Sequence, residues 1–216
     1  MPRPKILRET RHVPEEREPP ARSLLRAHAW LSEESLGMYE ALLYSGRPFP
    51  IYISEVAEAK MREHALKEAP KELEVMGFML GDVLTWKGVP YVICRDVVTT
   101  RLRSTSSKVK FSPDAFPELF LQLDGSGFDY ILVGWYHSHP GHTCFLSRTD
   151  LETQRSMFDQ PFHTALVIDP VNRDVRTFRL TNQDPGYHEV PFALYSPDIG
   201  PSRRTRKLKV RPVPAQ

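Results

Sequence analysis

Two histidines stand two positions apart in Gly134-Trp135-Tyr136-His137-Ser138-His139-Pro140, at the end of an apolar run, and Asp150 follows eleven residues after the second. Alternate side chains of a strand share a face, so both imidazoles are aimed the same way. Asp150, in the first turn of a following helix, reaches the same place through a short loop. Two imidazoles and a carboxylate suit zinc, and three protein ligands leave the fourth tetrahedral position open, as hydrolytic sites require. Such a site needs a base for the proton of the attacking water. Glu74, at the entry to Val75-Met76-Gly77-Phe78-Met79-Leu80-Gly81, is the candidate, with Glu72 as its competitor. The glycine in that run is expected to let backbone or substrate approach closely. Ser147 is placed to donate a hydrogen bond to a developing oxyanion, a contribution of about 3 kcal/mol in acyl-transfer enzymes. Ser147-x-x-Asp150 is also a capping arrangement at a helix start, and both readings can hold together. In isolation, the histidine pair reads equally well as two hydrogen-bonded side chains at a strand end.

The elements that must carry these groups follow from periodicity. Ser54 is a good N-cap for a helix running to about Ala69, where Pro70 stops it. A strand from Val75 to about Leu84 and a second from Val89 to Thr99 form a hairpin turning near Lys87-Gly88. Residues 100–112 read as a polar inserted loop and Pro113 to about Leu123 as a helix. Tyr130 to His137 is a buried strand, Ser147 to about Phe158 a helix, and Thr164–Asp169 and Val175–Leu180 are strands closing the sheet. This order predicts an α/β layered domain with a mixed β-sheet flanked by helices.

The 216 residues and 40% hydrophobic content allow one domain with a sizeable core. Residues 1–22 combine five prolines with dense charge and are expected to be a flexible arm. Residues 23–46 read as a helical extension of two short helices broken near Ser32 to Gly37, 47–196 as the catalytic domain, and 197–216 as a disordered basic tail. Of 29 basic and 27 acidic residues the two ends (1–22 and 201–216) hold twelve and four, leaving 17 and 23 for the body, a balance of about −6. Nucleic acid is therefore not expected as a partner of the body, although the basic run at 203–211 leaves a docking role open. No signal pattern and no apolar run of membrane-spanning length is visible, so a cytoplasmic protein without a membrane partner is expected. The two cysteines, Cys94 and Cys144, exclude a disulfide framework. Cys94, Cys144 and His163 are assigned to the fold, and His142 to a surface loop beside the substrate channel rather than to the open metal position.

The spacing His137-x-His139-x7-Ser147-x2-Asp150, with Glu74 upstream in Leu73-Glu74-Val75-Met76-Gly77, resembles the signature of the JAMM, or MPN-plus, metalloproteases. The flanking words EVMGFMLG, VGWYHSHPG and LVIDP resemble those of family members in the proteasome lid and the signalosome. The likeness covers roughly residues 50–180. It implies an MPN domain of cytidine-deaminase-like layered architecture, one catalytic Zn2+ on His137, His139 and Asp150, Glu74 as general acid/base, and Ser147 stabilising the tetrahedral intermediate. It also separates Glu74 from Glu72. The implied activity is hydrolysis of the bond after the C-terminal glycine of ubiquitin or a ubiquitin-like protein, with a proteasome or unfoldase as a further partner. The modifier's tail is expected to add as a strand along the insertion, at Thr105, Ser106, Ser107, Val109 and Phe111, near His142. Two other readings accompany it: a protease for a ubiquitin-fold sulfur carrier, and a scaffold without catalysis, against which the intact ligand set argues. The loop departs from the family pattern at His142-Thr143, where the eukaryotic relatives carry an aromatic residue followed by glycine. No counterpart of the lid subunit's C-terminal helical region is visible, from which a simpler, archaeal-type system is expected.

Overall fold

The computed structural model describes residues 14–99 and 131–196. Among them, the strands are β1 (Glu15–Glu16), β2 (Leu25–Arg26), β3 (Ile51–Ser54), β4 (Met76–Trp86), β5 (Val89–Thr99), β6 (Ile131–Ser138), β7 (Thr164–Asp169), β8 (Asp174–Leu180), β9 (Tyr187–Glu189) and β10 (Phe192–Tyr195). The helices are α1 (Glu33–Ser45), α2 (Glu55–Glu68) and α3 (Arg148–Met157). The strands form one mixed sheet in the order β2-β10-β3-β5-β4-β6-β7-β8-β9, with β1 added beside the far end of β4. β6 and β7 run parallel, as do β3 with β5 and β10, whereas β4 is antiparallel to both β5 and β6.

Strand alternation sorts the core onto two faces. Ile51, Val75, Met79, Val92, Tyr136, Leu166 and Ile168 point to one face, where α2 covers them with Ala57, Met61 and Ala65 spaced four apart on one helical stripe. Ser54 caps α2 by accepting the Ala57 N–H at 3.1 Å. On the other face Met76, Phe78, Trp135, Ala165 and Val167 pack under α3, and Tyr52, Leu84, Tyr91 and Ile93 pack under α1. The β4–β5 turn has Lys87 at φ 50° and Gly88 at φ 75°, the backbone of a two-residue hairpin whose twist matches its strands. Of the two close approaches expected at Gly77, the structure shows that of the backbone. A Cβ there would lie 2.5 Å from both the Tyr136 ring and the Val98 carbonyl oxygen, so the missing side chain lets strand and ring pack rather than admitting substrate.

Three expectations are corrected by the N-terminal half. Residues 14–22 are held rather than free: Arg17 N–H donates to the Thr85 carbonyl at 2.9 Å, Glu16 accepts the Lys87 N–H at 2.8 Å, and Tyr91 Oη donates to the Arg17 carbonyl at 2.8 Å. The segment has no core of its own. It satisfies the edge of β4 beyond the last residue that β6 pairs, which stabilises backbone groups otherwise left open. The two short helices expected over 23–46 are one helix, α1, which Ser32 caps and which runs through Gly37. The stretch before it is a 3₁₀ turn and β2. Because β2 pairs β10 and Tyr39 packs with Tyr52 and Tyr195, the sheet and core cross the expected boundary at residue 46. The insertion at 100–112, the helix at 113–123 and the tail at 197–216 lie outside the described residues.

Candidate metal centre

β6 delivers the two histidines. His137 is its penultimate residue and pairs with Met76 of β4 and Val167 of β7, which fixes its height in the sheet. His139 follows directly, its N–H donating to the Ile168 carbonyl at 3.0 Å. Both lie on the α3 face, and both are buried. Asp150 arrives from the first turn of α3, where Ser147 Oγ accepts its N–H at 3.2 Å and Asp150 Oδ2 accepts the Ser147 N–H at 2.7 Å. This reciprocal capping box fixes the carboxylate by the same bonds that start the helix.

His137 Nε2 and His139 Nε2 are 3.1 Å apart, and each is 3.5 Å from Asp150 Oδ2. A tetrahedral zinc with bonds of about 2.0–2.1 Å separates neighbouring ligand atoms by about 3.3 Å. The triangle of donors therefore fits that ion, and the three atoms form a cluster able to hold a metal. The ring orientations agree with this. His139 Nδ1 faces the Thr143 carbonyl at 3.2 Å, and a carbonyl only accepts, so Nδ1 carries the hydrogen and Nε2 presents its lone pair to the centre. His137 Nδ1 is buried without a partner among the described residues, so the ring's hydrogen-bonding contacts are all on the inner nitrogen. Its plane is set by stacking on Trp135, 4.4 Å between centroids, and Trp135 is fixed by donating Nε1–H to Gln154 Oε1 at 2.6 Å. Phe145, 39% exposed, covers His139 from the solvent side at 4.9 Å.

The charges are consistent with a cation site. Burial would push Asp150 up, but the charge of His137 and hydrogen bonds from His137 and Ser147 outweigh it and hold the carboxyl far below its ordinary range. Burial would push His139 down, and Asp150 reverses this, raising it. Glu74 precedes β4 and is half-buried. Continuing the β4–β6 register from Met76 and His137 sets it opposite His139. Burial raises its carboxyl above the ordinary value against the opposing pull of His139 and His137. Glu72 differs in every respect: it is exposed and lies at φ 55°, ending the 3₁₀ turn that follows α2. Accepting the Asp150 N–H uses a lone pair of Ser147 Oγ and leaves its O–H free to donate. His142 is exposed in the loop, near enough for its charge to act on Glu74. Cys144 and Cys94 are buried, and burial pushes the Cys94 thiol up to about 12. His163 is buried, accepting the Gln160 N–H at 3.2 Å. Thr105, Ser106, Ser107, Val109 and Phe111 lie outside the described residues.

Sequence reasoning overlooked Asp169, which ends β7 and is fully buried. Its Oδ1 accepts N–H groups of Gly141, Val171 and Asn172 at 2.9, 3.0 and 3.1 Å. Its Oδ2 accepts the Thr143 N–H at 2.8 Å and Asn172 Nδ2–H at 2.7 Å. The available signal was a carboxylate closing the apolar run Ala165-Leu166-Val167-Ile168, since an acid there is buried only when fully bonded.

The JAB1/Mov34/MPN/PAD-1 ubiquitin protease family model matches residues 50–160. The chain is 40% identical over 124 residues to the 26S proteasome regulatory subunit RPN11 of Eremothecium gossypii, covering 56% of this chain and 38% of that one. It is 39% identical to the ubiquitin carboxyl-terminal hydrolase RPN11 of Saccharomyces cerevisiae over a similar span, 56% and 39%. It is 30% identical over 193 residues to COP9 signalosome complex subunit 5 of Yarrowia lipolytica, covering 86% and 47%. The chain thus spans under half the length of these curated relatives. Among solved structures, the solution structure of protein DSY2949 from Desulfitobacterium hafniense shares the fold, with TM-score 0.50 at 20% identity over 68% of this chain and 94% of that one. Its MPN fold, its matched span and its relatives agree, and the chain belongs to the JAB1/Mov34/MPN/PAD-1 family.

Proposed function

We propose that the chain is a zinc-dependent isopeptidase that hydrolyses the bond after the C-terminal glycine of ubiquitin or a ubiquitin-like protein. The observation that carries this reading is the triangle of His137, His139 and Asp150 donors with the half-buried Glu74 beside it. His137 Nε2, His139 Nε2 and Asp150 Oδ2 would hold the ion. When bound, zinc polarises a carbonyl and acidifies water to a pKa of about 7. Glu74, kept away from bulk water, accepts the proton of the attacking water and returns it to the leaving amine. A carboxyl raised by burial takes up that proton more readily than an exposed one. The Ser147 O–H donates to the oxygen on which charge develops. Phe145 and Trp135 limit the water reaching the ligand rings.

The modifier substrate rests on the relatives named as a ubiquitin hydrolase and as signalosome and proteasome subunits, which also support a setting beside a proteasome. The test is cleavage of a modifier–reporter fusion together with elemental analysis. Wild type is expected to cleave after the modifier's last glycine with about one zinc per chain. A His137→Ala/His139→Ala variant is expected to lose both metal and turnover. A zinc-loaded wild type inert on every ubiquitin-fold fusion offered would overturn the substrate, and a zinc-free active wild type would overturn the metal.

A further inference from the structure

We infer that Asp169 is a positioning residue for the metal centre: through Thr143 it sets the tautomer and aim of the His139 ring. The inference rests on the proposed zinc site and adds a residue that touches neither metal nor substrate. The route is short. Asp169 Oδ2 accepts the Thr143 N–H at 2.8 Å, and the carbonyl of the same Thr143 accepts the His139 Nδ1–H at 3.2 Å. The loop between needs such a clamp, because Gly141 at φ 79° and Thr143 at φ 65° both occupy the left-handed region. For a β-branched threonine that conformation costs about 1–2 kcal/mol and persists only where surrounding contacts over-determine it. Asp169 supplies them at two points two residues apart, one oxygen on Gly141 and the other on Thr143.

The two histidines divide here. His137 is oriented by Trp135 stacked against it and has no acceptor on its outer nitrogen among the described residues, whereas His139 depends on the Thr143 carbonyl. Outer hydrogen bonds of this kind fix the tautomer and raise ligand basicity, and their loss commonly weakens metal binding about 10–100-fold. An amide in place of the carboxylate offers one acceptor oxygen for two sets of donors. Holding the three backbone N–H groups on Oδ1 turns its NH₂ against the Thr143 N–H.

The experiment measures zinc affinity by competition with a chelator, alongside thermal unfolding, for wild type, Asp169→Asn and Asn172→Ala. Asp169→Asn is expected to bind zinc about 10–100-fold more weakly. Asn172→Ala removes one donor from the same Oδ2 without touching the loop, so a lower Tm with zinc affinity within about twofold of wild type is expected. The loss in Asp169→Asn should persist at about 1 M salt, where a bare charge effect is screened. Unchanged affinity in Asp169→Asn, a loss that disappears in salt, or an equal loss in Asn172→Ala would overturn the inference. Failure of wild type to bind zinc would instead remove the proposed metal site on which it stands. Should Asp169→Asn not fold, the metal-free wild type decides: imidazole ¹⁵N shifts at about pH 9, where histidines are neutral, are expected to show His139 with its hydrogen on Nδ1. A hydrogen on Nε2 would overturn the proposal.

Discussion

The two faces of the sheet hold together differently. Under α2, stability is spread over many apolar contacts: Ala57, Met61 and Ala65 meet side chains from several strands, and these three side chains carry no polar obligation. Under α3, near the ends of β6 and β7, buried polar groups rest on directed hydrogen bonds, as Trp135 donates to Gln154 and His139 to the Thr143 carbonyl. Packing is redundant on the first face because dispersion and burial are non-directional. On the second, hydrogen bonds have directions, and a buried group that loses its partner has no substitute. The comparison implies that stability and chemistry can be broken separately.

The largest expected effect tests the α3 face alone. Glu74→Gln keeps the shape and removes the basic oxygen, since an amide does not take a proton at neutral pH. Turnover on a modifier–reporter fusion is expected to fall on the order of 10²–10⁴-fold, with zinc content and Tm near wild type. Retained turnover would move the base elsewhere and leave Glu74 as a half-buried acid without a task.

Met61→Ala is the converse. Met61 is fully buried between α2 and the sheet, and truncation there is expected to cost about 2–5 kcal/mol in denaturant unfolding while zinc affinity stays unchanged. A loss of metal in step with this destabilisation would show that the two faces are coupled, and would break the comparison.

How far these faces were legible in the sequence follows the same division. Apolar periodicity locates α2, the β4–β5 hairpin, β7 and β8 within a residue or two, because burial on one face forces a repeat of two or 3.6. His137, His139 and Asp150 were legible from spacing, since strand alternation and a capping turn are local rules. Asp169 and Gln154 were not read, because the partners that tie them to the site, Gly141, Thr143 and Trp135, lie far off in the sequence. β1, β2, β9 and β10 are too short for a period, and their pairing is set by the strands beside them. The contact of residues 14–17 with β4 is of the same kind, backbone pairing joined by the Glu16 carboxylate on the Lys87 N–H.

A smaller effect concerns the polar clip on the α2 face, where His28 Nδ1 accepts the Trp30 N–H at 2.9 Å and so Nε2–H donates to Glu58 Oε1, also at 2.9 Å, with Arg62 adding a bond at 2.7 Å. Burial raises Glu58, but the His28 and Arg62 hydrogen bonds outweigh it and leave the carboxyl below its ordinary value. A carboxyl depressed in the folded state contributes stability that is fully present above its unfolded pKa and is lost as pH falls through the folded value. Glu58→Gln is therefore expected to lose about 1 kcal/mol at neutral pH and to show a shallower fall of stability below about pH 4.5, measured by urea unfolding across pH. An unchanged acid slope would mean that other carboxylates dominate there.

The smallest effect sharpens the account of the ligand loop. Thr143 is exposed and takes part through its backbone N–H and carbonyl, both of which glycine keeps. At φ 65° the threonine Cβ carries a left-handed cost of about 1–2 kcal/mol that glycine does not. Against this, glycine gives the unfolded chain more freedom, worth about 0.5–1 kcal/mol. The difference favours Thr143→Gly by a few tenths up to about 1 kcal/mol, so a slight rise in Tm with unchanged zinc affinity is expected. The left-handed threonine would then be a tolerated strain, held down by Asp169. Weaker zinc binding in the more stable variant would give a different answer: threonine's restricted backbone would itself keep the Thr143 carbonyl aimed at His139, and the strain would belong to the positioning of the ring.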